Sequence, residues 1–187
     1  MKKKIFSVLL IVTLLMAMLV GLTACGDGDD EEKSSKKSSS SSSVTKHKEM
    51  IEEVYEDFEN RDLDALMDLY DVKGMNQYYK DAGADITVTK SKLKESFQSL
   101  FDAYDEYDMS MFIDSDIYHI TSKSDLKKAY KDMGEDTDDI DDLWEDTYEE
   151  LVEEYDVFVY RVDYINSSAD ARILTILFNE NDKMVNY

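Results

Sequence analysis

Four side chains capable of proton-transfer chemistry fall within one short stretch: Asp114, Asp116, Tyr118 and His119. A carboxylate or imidazole held in an apolar pocket can act as a general base, and a phenol beside it as a donor. The stretch has the alternation of a strand. Met109, Met111 and Ile113 alternate with Ser110 and Asp114, and the strand is predicted to continue through Ile117–Ile120. Alternation alone leaves the facing of the four open, and outward polar positions on a strand are the plain alternative. The other histidine, His47, is flanked by Lys46 and Lys48 at the start of a predicted helix and is expected in solvent. Two histidines this far apart in the chain are not expected to pair as metal ligands. No Gly-rich phosphate loop, nucleophile elbow or Cys–His pairing occurs, and no cofactor is expected.

Acidic residues form the second feature with chemical potential. Between Lys131 and Arg161 stand fourteen acids and no base. Asp138 and Asp142 are the candidates within this run for holding a divalent cation. The register Asp136–Thr147 departs from a calcium loop, because Ile140 and Asp141 occupy positions that need a ligand and a glycine. A solvated outer helix face is the simpler expectation.

These residues need elements to position them. Met50, Ile51, Val54, Tyr55 and Phe58 recur at helical spacing, and Asn60-Arg61-Asp62 interrupts. Asp62 is expected to cap a second helix that buries Leu63, Leu66, Leu69 and Tyr70. That helix resumes after Gly74 through Met75–Lys80. A third helix over about Ser91–Tyr104 carries Leu93, Phe97, Leu100, Phe101 and Tyr104 on one face. After the strand, Ser124 is expected to cap a short helix to Met133, with Gly134 as its left-handed stop. Ile140, Leu143, Trp144, Tyr148, Leu151, Val152 and Tyr155 then mark a stripe over four turns. The sequence closes on a hairpin, Val157–Ile165 and Ala171–Asn179, and a short strand Lys183–Tyr187. Phe158, Tyr160, Val162 and Tyr164 are expected to face the core with Leu174, Ile176 and Phe178. Helices first and antiparallel strands last predict an α+β fold, with N-terminal helices on one face of a curved sheet and a C-terminal meander.

Composition sets the outer limits. The 187 residues carry 21 Lys+Arg against 43 Asp+Glu, a net charge of −22. Nucleic acid is therefore excluded as an ordinary partner, because phosphate recognition needs a basic surface. The length suits one domain with its targeting segment and is too short for a two-lobed solute-binding protein. Cys25 is the one cysteine, so neither an internal disulfide nor a multi-cysteine zinc site is expected. Thirteen Tyr and seven Phe supply enough apolar bulk for a core.

The N-terminus is distinct from everything after it. Lys2, Lys3 and Lys4 precede an uncharged run from Ile5 to Leu22, which ends in Leu22-Thr23-Ala24-Cys25-Gly26. This pattern closely resembles the signal and lipobox of bacterial lipoproteins. The resemblance implies that the Cys25 thiol receives a diacylglyceryl group and that cleavage removes residues 1–24. The segment Gly26–Ser43 has no apolar residue and is expected to be a flexible tether with a mean reach of roughly 20–25 Å. One domain is then expected over 44–187, outside the cytoplasm and tied to the membrane.

Within that domain, EEVYEDFENRDLDALMDLY (Glu52–Tyr70) resembles the opening helices of nuclear-transport-factor-2-like, or cystatin-like, domains. The closing strand-turn-strand-turn-strand is similar as well. The resemblance implies a cone formed by a bent antiparallel sheet around helices, with a pocket at its open end. The reading that results is a membrane-anchored binding or interaction module without catalysis, whose partner is a protein or small ligand at the cell envelope. Two alternatives stand beside it: a cone-fold carrier or isomerase-like enzyme using Asp114, Tyr118 and His119, and a binder of divalent cations or basic peptides through residues 135–156.

Overall fold

The computed structural model describes residues 41–166 and 171–186. Cys25, the signal segment and most of the tether lie outside the described residues. The fold is α+β, with the helices leading and most of an open antiparallel sheet following.

Helix α1 (Ser41–Glu59) begins slightly ahead of the expected boundary and presents Met50, Ile51 and Phe58 inward. It ends where Arg61 takes a left-handed conformation at φ 57°. Asp62 then caps α2 (Leu63–Leu69) as expected, its carboxylate accepting from the Ala65 N–H at 3.0 Å. Asp71 caps α3 (Val72–Asp81). This helix starts earlier than predicted, so Gly74 lies inside it. A Cβ at Gly74 would stand 2.7 Å from Val185 Cγ1, and a glycine there lets the C-terminal segment lie against the helix. Asn76 holds the following loop by donating to the Val88 carbonyl and accepting from its N–H, both at 2.8 Å. Thr89 caps α4 (Lys90–Tyr107), whose Leu93, Phe97, Phe101 and Tyr104 are buried.

The predicted single strand is divided. β1 (Ser110–Ile113) and β2 (Tyr118–Ile120) both pair antiparallel with β3 (Asp156–Ile165), and β4 (Arg172–Phe178) pairs with β3 as well. Where β1 and β2 part, the Ser115 hydroxyl accepts the Arg161 N–H in place of a main-chain carbonyl. Between β2 and β3 run α5 (Lys123–Asp132), α6 (Ile140–Leu143) and α7 (Glu149–Glu154). The cap of α5 is Ser122 rather than Ser124: its hydroxyl accepts from the Asp125 N–H, and the Asp125 carboxylate reaches back to the Ser122 and Thr121 hydroxyls. Gly134 is left-handed at φ 81°, as expected.

The stripe from Ile140 to Tyr155 is not one regular helix. A π-helical stretch, Trp144–Tyr148, separates α6 from α7. Wider winding there keeps Ile140, Trp144 and Tyr148 all buried.

A further correction concerns the layers, because helices cover both faces of the sheet. On one face Phe158, Tyr160, Val162, Ile176 and Phe178 pack with α1–α4, as predicted. On the other, Val157, Val159, Leu177 and Ile120 pack with Leu126, Ala129, Ile140, Trp144 and Tyr148. β3 is therefore buried on both sides, which explains its unbroken run Val157-Phe158-Val159-Tyr160. After β4 the chain turns at Asn179, and in place of the predicted strand Lys183–Tyr187 Met184 forms isolated bridges to Phe178 and Tyr70, while the Val185 N–H donates to the Leu177 carbonyl. Buried Asn186 accepts from the Leu177 N–H and donates to the Thr175 carbonyl, so its side-chain amide continues the ladder.

Candidate functional site

The start of β3, the end of β4 and the turn at Asp182 converge on His47 of α1. Contrary to expectation, this histidine is 1% exposed. Its ring stacks on Phe178 with centroids 4.1 Å apart and meets Phe158 edge-on at 5.7 Å. Nε2 hydrogen-bonds the Asp182 carboxylate at 3.0 Å. Nδ1 lies 3.3 Å from Asp156 Oδ2, an ion-pair distance without the alignment of a hydrogen bond. Lys46 reaches the second Asp182 oxygen at 2.6 Å. Hydrogen bonds from Lys46 and His47 hold the Asp182 carboxyl below its ordinary range.

His119 completes the group from the other side of Phe158, stacked on that ring with centroids 4.9 Å apart. It is half-buried, and burial lowers its pKa even though Asp156 and Asp125 pull upward. The two histidines that the sequence sets far apart thus share Phe158 and Asp156. Among the described residues, however, no group of three or more His, Cys, Asp or Glu side chains can hold a metal ion.

The four clustered candidates separate in space. β2 pairs His119 with Phe158 and Tyr118 with Val159, which places these neighbours on opposite faces of the sheet. Asp114 is exposed on the Tyr118 side, where its carboxylate lies 3.6 Å from the Arg161 guanidinium. Burial raises the Tyr118 pKa, and Asp132 and Asp116 add to the shift. Asp114 and His119 therefore share no pocket. The interior between α1 and the sheet holds hydroxyls instead. Tyr55 donates to Tyr160 at 3.2 Å, and burial pushes both phenols up, so they remain neutral. Phe58, Phe101 and Tyr104 fill the space beside them with edge-to-face contacts.

Asp138 and Asp142 are both exposed on the outer surface. Within the same run, Asp141 and Glu145 pair with Lys123 from α5, at 3.1 and 3.4 Å.

Sequence reasoning missed the carboxylate-bound histidine, although a signal was present. His47, Ile51, Val54 and Phe58 stand at i, i+4, i+7 and i+11, in phase on one helix face. Chemically the His47 arrangement is a fastening: its ring is enclosed by two phenyl groups and two carboxylates. No family model, curated protein or solved structure matches this chain.

Proposed function

We propose that the chain is an extracytoplasmic lipoprotein, held at the membrane by a lipid on Cys25, whose α+β domain acts as a binding or interaction module without catalysis. The anchor rests on Lys2–Lys4, the apolar run and Leu22-Thr23-Ala24-Cys25. The order of elements supports the likeness to nuclear-transport-factor-2-like domains, since helices precede a terminal antiparallel hairpin. The observation that carries the non-catalytic reading is the separation of Asp114 from His119 by the sheet, with aromatic side chains packed where a cone would hold its substrate.

Fatty-acid labelling in the native host tests the anchor. Cys25→Ala is expected to abolish labelling and to leave a larger, unprocessed precursor. Normal labelling of that variant refutes the assignment.

A further inference from the structure

Helices cover the second face of the sheet unevenly. Their cover stops near Arg161, which donates to the Met133 carbonyl at 3.1 Å and lies 3.6 Å from Glu135 and from Asp114. Past Arg161 the same face continues through Asp163 and Ile165 on β3, with Phe112 and Ser110 opposite on β1. Phe112 and Ile165 are the large apolar side chains left exposed among the described residues, at 39% and 51%. Register makes them diagonal neighbours, because Phe112 stands opposite Asp163, two positions from Ile165.

β1 is also an edge. Among the described residues, β3 is the strand that pairs with it. At the end of their ladder the Asp114 N–H donates to the Arg161 carbonyl. Antiparallel alternation then turns the main-chain groups of Ser110 and Phe112 toward β3 and those of Met111 and Ile113 away from it. Exposed carboxylates stand at both ends of this edge, Asp108 at one and Asp114 and Asp116 at the other, with Asp163 beside Phe112.

We infer that β1 receives an extended segment of another protein, basic and apolar in alternation, as an added strand. Its main chain pairs with Met111 and Ile113, its apolar side chains pack on Phe112 and Ile165, and its Lys or Arg side chains meet the flanking carboxylates. Charge selects this occupant over a second copy. Two chains of −22 repel, and an antiparallel pairing of two β1 strands brings the acidic end at Asp108 of one against the acidic end at Asp114 and Asp116 of the other. The acidic helices contribute the long-range field that draws a cationic segment in, and β1 is where it docks. This site rests on the binding-module reading and gives it a location and a partner chemistry.

The test measures binding of the full lipid-anchored chain, in nanodiscs, to an end-blocked ten-residue peptide of alternating Lys and Val. Phe112→Ser, a surface change checked by melting, is expected to weaken binding at least tenfold. Methylating alternate backbone amides of the peptide is expected to weaken it as much, with the protein unchanged. Glu149→Gln, Glu150→Gln and Glu153→Gln together are expected to weaken it less than threefold. Absence of binding, indifference to N-methylation or to Phe112→Ser, or a greater loss in the triple variant overturns the proposal. Photo-crosslinking in cells separates it from its premise. A partner captured from position 150 and not from 112 removes the β1 site and leaves the module reading, whereas capture of none from either position counts against both.

Discussion

His47 lies enclosed on α1 between Lys46 and Lys48. Its phase with Ile51 and Phe58 turns the ring inward, where Phe178 and two carboxylates receive it, although lysines flank it in the chain. His47→Ala is expected to cost about 2–4 kcal/mol in urea unfolding, because it opens a cavity and leaves Asp156 and Asp182 without the imidazole. Asp182 gives a pH signature. Its folded pKa lies below the ordinary 3.8, so its stabilisation is complete above that value and is lost as pH falls through the folded value. Asp182→Asn is expected to lower stability at neutral pH and to flatten its decline in that acid window. His119 acts in a higher window. Burial sets its folded pKa below 6.5, so its neutral ring favours folding fully above 6.5, and that contribution erodes as pH drops. An NMR titration is expected to place the His119 midpoint below 6.5. The sequence exposed the chemistry of Asp114, Tyr118 and His119 but not their facing, because the break at Ser115 and the burial of both sheet faces remove the usual polar-out rule.

Elements were more legible than side-chain environments. The α1–α2 break with its Asp62 cap, the stripe of α4, Gly134 and the hairpin all follow from spacing and turn chemistry, which are local properties. What was not legible depends on partners far along the chain. The π-helical stretch adjusts one helix to the sheet beneath it, and the glycine inside α3 makes room for Val185 from the far end of the chain. Trp144 lies inward as its stripe position predicts, 9% exposed against Val157, Val159 and their neighbours. Trp144→Ala is expected to cost ~3–5 kcal/mol, a large share of the roughly 5–15 kcal/mol that holds such a domain folded. A loss below about 1 kcal/mol in chemical denaturation contradicts this packing. Gly74→Ala separates helix propensity from tertiary contact. Propensity alone favours alanine by about 1 kcal/mol. Because the new Cβ would stand 2.7 Å from Val185 Cγ1, the variant is expected to melt lower than the parent.

At the scale of the whole molecule, charge dominates. With 43 acids against 21 bases the surface repels itself, and any cation relieves part of that repulsion. Magnesium, calcium and sodium chloride at matched ionic strength are expected to raise the melting temperature alike. Asp138 and Asp142 are exposed to solvent, where salt screens them, and a specific calcium site needs several oxygen ligands converging on one ion. Saturable calcium stabilisation below millimolar concentration, abolished by Asp138→Asn with Asp142→Asn, contradicts that expectation. The clasp of His47 on Asp182 also has a consequence in time. Of the described elements a ribosome makes α1 first, but Asp182 lies 135 positions downstream of His47. At about 5–20 residues per second, α1 waits on the order of ten seconds for the segment that closes over its imidazole. Until β3 emerges Ile51 and Phe58 have no sheet to lie on, so the first of the described helices is among the last to be secured, and a nascent chain stalled before residue 156 still presents it to whatever binds unfolded protein.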